Sequence, residues 1–86
     1  MPFRIVWDED ARNFLGKKDK ELSERILRKL REASKEPLRY VEILTSIKAF
    51  RLRVGDYRII LDIDWQSNII YVRYLNHRKK IYKRFG

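Results

Sequence analysis

The residues able to do chemistry gather in two stretches, Phe50-Arg51-Leu52-Arg53-Val54-Gly55-Asp56-Tyr57-Arg58 and Asn76-His77-Arg78-Lys79-Lys80-Ile81-Tyr82. In the first, arginines alternate with apolar residues, the period of a strand with one wet face. Gly55-Asp56 suits a two-residue hairpin loop, which places Arg53 opposite Arg58, Leu52 opposite Ile59 and Arg51 opposite Ile60. Like charges so paired destabilise a hairpin by some tenths of a kcal/mol, roughly 0.2–1 per pair, a cost that a solvated face tolerates. The first hairpin carries only Asp56 as a counter-charge, at its turn, while Asp62 and Asp64 lie at the far end of the next strand. A bound phosphate would relieve the repulsion. Guanidinium forks take phosphate oxygens in bidentate fashion, so arginines on a rigid sheet can grip a nucleic-acid backbone or stabilise a phosphoryl transition state.

The second stretch adds the chain's one histidine, His77, beside Arg78 and just past a strand, where an acid or base could work. A lone imidazole is also a common structural or exposed side chain, and it makes no metal site by itself. Tyr82 can stack on a base, donate a proton or line the core rim. Tyr71 and Arg73 are expected on the arginine side of the last strand, with Ile70, Val72 and Tyr74 on the apolar side. Asp62 and Asp64 share a strand face without a third carboxylate nearby, which argues against a metal-dependent nuclease. Gly55 is too isolated for a phosphate loop, and the chain has no P-loop, nucleophile elbow or zinc spacing. No metal or cofactor is called for.

The elements that must position these groups are legible from period and punctuation. Phe3, Ile5 and Trp7 alternate as a short strand. Asp8 then serves as N-cap of a short helix that carries Ala11, Phe14 and Leu15 and stops at Gly16. From Asp19 to about Lys35 an apolar stripe of Leu22, Ile26, Leu27, Leu30 and Ala33 marks a second helix, with Glu21/Arg25 and Glu24/Arg28 spaced to pair. Pro37 ends it, and Leu38 to Ile47 reads as a connection with room for a helical turn, anchored by Leu44 and Ile47. Strands over 50–54, 57–64 and 69–75 follow, with a looser turn at Trp65 to Asn68. The order β-α-α-β-β-β implies an α+β fold, two N-terminal helices on one face of a small, mostly antiparallel four-stranded sheet with a basic C-terminal tail.

Composition agrees with one domain spanning 1–86. The 86 residues include 44% hydrophobic ones, enough for a single core, and the formal net charge is +9. Through Glu42 there are 11 basic and 9 acidic residues; after it, 10 and 3, so the positive field belongs to the strand half. With no cysteine and no long apolar run, a cytoplasmic protein that engages no membrane is expected.

The hairpin together with the terminal His-Arg-Lys-Lys-Ile-Tyr resembles the RelE family of toxin–antitoxin ribonucleases, and the element order matches over nearly all of the chain. The resemblance implies a ribosome-dependent messenger-RNA endonuclease, silenced by a cognate RelB-like antitoxin, which cleaves without metal by attack of a 2′-hydroxyl on the adjacent phosphate. By position, Arg58 and Arg78 would hold the scissile phosphate, Arg51 and Arg53 would orient RNA with Arg73, Lys79 and Lys80 as further contacts, Tyr82 would stack on the nucleotides and His77 would move the proton. Where the best-known members carry lysines, this chain has Arg51 and Arg53, which stay protonated and supply no general base. The stretch Ile43-Leu44-Thr45-Ser46-Ile47 also departs from a Lys-Leu-x-Gly pattern, with Ser46 in the glycine's place. Two other readings stand beside the nuclease: a ParE-like gyrase inhibitor that cleaves nothing, and a non-catalytic RNA- or ribosome-binding module.

Overall fold

A computed structural model describes residues 2–85. Its order is β1 (Arg4–Trp7), α1 (Glu9–Gly16), α2 (Lys20–Lys35), α3 (Pro37–Tyr40), β2 (Val41–Leu44), β3 (Ala49–Val54), β4 (Tyr57–Asp64), β5 (Ile69–His77) and α4 (Arg78–Phe85). The sheet has five strands, in the order β1-β5-β4-β3-β2; β1 runs parallel to β5 and every other pairing is antiparallel. The strand missing from the four-stranded expectation is β2, inside what read as a connection. Val41 and Tyr40 pack on the core there, whereas Ile47, expected as an anchor, is exposed. The basic tail is a helix, α4.

Alternation explains the layering. Leu52, Ile59, Leu61, Ile70 and Val72 are fully buried in the main core with Ile26 and Leu30 of α2. Burying side chains of this size stabilises by about 1.5–3 kcal/mol each. Phe3, Ile5 and Trp7 pack on the same cluster, as their period-2 pattern requires. Ile60, between Ile59 and Leu61, points the other way. It is buried outside the main core, on the face where α4 packs and buries Ile81. Helices therefore cover both faces of the sheet, α1 and α2 on one and α4 on the other. Among the described residues no helix is long and apolar enough to cross a membrane.

A side chain caps α2 and none caps α1. Asp19 accepts a hydrogen bond from the Leu22 N–H at 2.8 Å. Asp8 occupies the backbone N-cap position of α1 without a side-chain cap bond, because its carboxylate accepts from Arg73 instead. The Glu21/Arg25 and Glu24/Arg28 pairs do not form: Glu24 meets Lys20, and the guanidinium of Arg25 lies against Gly55. In β5 a bulge at Ile60/Leu61 of the β4 ladder sets Tyr74 opposite Ile60 and Val72 opposite Leu61. Beyond it the phase has slipped by one residue, so Leu75, and not Tyr74 as expected, is the buried core side chain.

The β3–β4 register is the expected one, with Arg53 opposite Arg58 and Arg51 opposite Ile60. Gly55 makes this turn at φ +56°, and a Cβ there would sit 2.7 Å from Arg25 Nη2. Gly55→Ala is expected to lower stability by about 1–2 kcal/mol through the left-handed backbone alone, and by more if Arg25 cannot move. Urea unfolding measures it; an unchanged midpoint would mean that the turn relaxes to another form.

Candidate functional site

Arg58 leaves the wet face of β4 and folds back under its own turn. Its Nη1 donates to the carbonyl oxygens of Gly55 at 2.7 Å and Tyr57 at 2.8 Å, and its Nε donates to the Tyr82 hydroxyl at 3.3 Å. The residue is 4% exposed and makes no ion pair among the described residues. A cation so deeply placed normally finds a carboxylate, since desolvation costs several kcal/mol and carbonyl dipoles offset only part of it. Among the described residues Nη2 makes none of the hydrogen bonds of this side chain, which leaves its two donors unspent.

Tyr82, on α4, lies between two guanidiniums. The Arg51 guanidinium carbon is 5.2 Å from its ring centroid and that of Arg58 is 5.8 Å away. The hydrogen bond from Arg58 holds the phenol below its ordinary pKa of 10.0 against the opposing effect of desolvation, with smaller help from the charges of Arg58 and Arg51 and slight opposition from Glu42. Arg51 donates from Nη2 to the Glu42 carboxylate at 3.0 Å, while its buried Nε has no hydrogen-bond partner. Glu42 is the residue that sequence reasoning missed; the β-branched Val41 and Ile43 flanking it were the available sign of a strand directly opposite Arg51.

The other expected site residues are dispersed. Arg53 is exposed, free of ion pairs, and faces the cleft between the β3–β4 turn and α2. Arg73 does lie on the arginine side, yet it is neutralised: Nη1 meets Asp8 at 2.9 Å and Nη2 meets Asp62 at 3.3 Å, with the Tyr71 ring 4.8 Å away. Burial works against its charge, and the hydrogen bond and charge of Asp8, then of Asp62, outweigh that and raise its pKa. His77 is opposite Tyr57, whose ring meets Phe14 of α1, so the imidazole is on the α1 side of the sheet and Arg58 on the other. Its Nδ1 accepts the Lys79 N–H at 3.2 Å, a cap on α4. The Arg78 N–H donates to the Asp56 carbonyl at 2.8 Å, mooring α4 to the turn that holds Arg58, and its side chain is exposed. Lys79 is also exposed, and Lys80 lines a separate recess between α1 and α4 with Arg84. No cluster of three or more His, Cys, Asp or Glu side chains converges among the described residues.

What assembles is a buried unpaired cation, a phenol of lowered pKa and a second, half-screened guanidinium on one open face. Such a set can bind a phosphodiester, stabilise added negative charge on it and exchange a proton with it.

A family model described as the ParE toxin of the type II toxin–antitoxin system parDE matches residues 5–82. Among solved structures, a chain of the RelBE2 toxin–antitoxin complex from Mycobacterium tuberculosis is 25% identical, with a TM-score of 0.82 over 91% of this chain and 100% of that one. The archaeal RelE–RelB complex from Pyrococcus horikoshii contributes a second match, also 25% identical, with a TM-score of 0.77 over 91% and 97%. A doubly substituted E. coli toxin RelE in the free state shares the fold at 18% identity, with a TM-score of 0.73 over 99% and 95%. No curated protein sequence matches significantly.

The phenol of Tyr82 is expected to ionise below the ordinary tyrosine value, and to return towards it in Arg58→Gln and by less in Arg51→Gln. Ultraviolet titration, with Tyr82→Phe assigning the signal, measures both shifts. An identical titration in Arg58→Gln and the parent chain would show that the hydrogen bond is not the cause.

Proposed function

The chain belongs to the RelE/ParE superfamily of type II toxins, and on that premise we propose that it is a ribosome-dependent messenger-RNA endonuclease. The observation that carries this reading is Arg58, a deeply placed cation without a carboxylate, hydrogen-bonded to an ionisable phenol on an open face. In the proposed reaction the 2′-oxygen forms a bond to the adjacent phosphorus and the bond to the 5′-oxygen breaks, leaving a 2′,3′-cyclic phosphate and a 5′-hydroxyl end. Arg58 Nη2 takes the charge that builds on the phosphorane. Arg51 and the exposed Arg78 hold the strand, with Arg53, Lys79 and Lys80 as further backbone contacts. Tyr82, in its phenolate form, accepts the proton of the attacking hydroxyl, and the leaving oxygen takes its proton from solvent. No metal or cofactor takes part in this scheme.

His77 acts in this proposal as a positioning residue, through the helix it caps. Arg73, tied to two carboxylates, stabilises the sheet and contributes little to RNA. Similar chains were solved in complexes with RelB partners, and a cognate RelB-like antitoxin that covers this basic face is proposed here as well. The protein would then act in the cytoplasm, where ribosomes and message are.

One finding favours a second reading. The family model bears the ParE name, which suggests a gyrase poison that leaves RNA intact. Mapping message ends after brief induction decides between the two. The nuclease yields cut message, whereas trapped DNA breaks with intact message would install the gyrase reading and end the first.

Arg58→Gln is expected to reduce ribosome-dependent cleavage by roughly 10²–10³, the usual effect of removing one transition-state donor, with the fold checked by thermal unfolding. Full cleavage by a folded Arg58→Gln chain would remove this residue from the site. His77→Asn, which keeps a capping acceptor, is expected to retain cleavage, while His77→Ala loses about 1 kcal/mol of cap and part of the activity. Equal loss in both variants would return the imidazole to proton transfer.

A further inference from the structure

A second cationic feature lies around the edge of the sheet from Tyr82. β2 ends opposite Leu52, so Arg53, Val54 and Gly55 form a locally open sheet edge. Between this edge and α2 is a cleft of about 260 Å³ lined by Arg25, Arg28, Lys29, Glu32 and Arg53. Its one carboxylate is already engaged, because Glu32 meets Lys29 at 3.9 Å. Arg25, Arg28 and Arg53 make no ion pair, although Glu21 and Glu24 stand one helical turn from Arg25 and Arg28. Arg25 is directed instead to the turn, its Nη2 against Gly55. Three exposed arginines thus line one concavity whose single carboxylate is taken by Lys29, and their mutual repulsion is left without an ion pair to offset it.

We propose that this cleft is a second phosphate-binding site, which holds the backbone of the same RNA strand away from the reacting phosphodiester. Arg53 connects the two sites: it stands directly opposite Arg58 in the hairpin and also lines the cleft. A strand crossing the hairpin end therefore meets Arg51 and Arg58 on one face, Arg53 at the edge, and Arg25 and Arg28 on α2. Guanidiniums grip phosphates whatever the base sequence. In naming RNA as the ligand the inference rests on the nuclease reading, and its test requires no cleavage.

The test is equilibrium binding of a labelled single-stranded RNA oligonucleotide across a salt series, in the absence of ribosomes. Arg28→Gln, and Arg25→Gln/Arg28→Gln together, are expected to lower affinity by about fivefold per cation at ~0.1 M salt. The slope of log K against log salt should become shallower by about 0.7 for each. Arg28 is exposed, so the single variant still decides the matter if loss of Arg25 disturbs the turn. Unchanged affinity and slope in folded Arg28→Gln would overturn the proposal. So would tighter binding of polyglutamate than of RNA, weakened by the same substitutions, which would assign the cleft to an acidic protein. Wild-type RNA binding of the expected slope with no ribosome-dependent cleavage would sink the nuclease reading and leave the cleft standing.

Discussion

The hydrogen bonds from Arg58 to the carbonyls of its own turn are the constraint around which the basic face is organised. A guanidinium held by two backbone oxygens cannot swing out to a carboxylate, and β4 offers it none nearby. The turn can present those oxygens only because Gly55 takes a left-handed backbone, at φ +56°. The same turn receives the first N–H of α4, from Arg78 to Asp56. One tight hairpin therefore sets the position of the buried cation and of the helix carrying the phenol above it. The fold tolerates the uncompensated charge because the main core, on the far side of the sheet, is continuous from Ile26 to Val72.

Placing a phenol between two cations has a chemical consequence. Each positive neighbour favours the phenolate, and the direct hydrogen bond from Arg58 contributes most. Arg51 acts through its charge alone, and Glu42 opposes the shift. β3 carries arginines and no lysine, so it holds no ammonium that could give up a proton. In the proposed reaction the group left to exchange a proton is the one the guanidiniums make more acidic, the phenol of Tyr82.

The hairpin, its register and the arginine face were legible in the sequence because a two-residue loop and strict alternation leave a single way to pair Arg53 with Arg58. The helix α2 was equally plain from its apolar stripe and from Pro37, which ends it. What stayed hidden depended on partners distant in the chain. Arg73 looked like another free guanidinium, and only the β1–β5 pairing brings Asp8 to it across 65 positions. The bulge that turns Tyr74 off the core side is a property of the ladder between two strands and leaves no mark in the period of either. Strand β2 was obscured because it is only four residues long and the adjacent Ile43 and Leu44 end the alternation that Val41, Glu42 and Ile43 begin. The cap that His77 places on α4 was hidden too, because it depends on where β5 ends.

The distribution of the acids completes the electrostatic picture. Asp62 is taken by Arg73, and Asp64 is turned into its own loop, where the N–H groups of Ser67 and Gln66 hold its carboxylate below the usual range. Both lie beyond the bulge on β4. From Arg58 to Asp62 the strand advances four residues, roughly 13 Å, which exceeds the screening length of about 8 Å at physiological salt. These carboxylates therefore cannot neutralise the hairpin end, even though they share its strand. At the hairpin end the cations accumulate from separate elements, Arg51 and Arg53 from β3, Arg58 from β4, Arg78 from α4, and Arg25 and Arg28 from α2. The positive potential of the molecule is therefore highest at that end, the end where the proposed reaction places its phosphodiester.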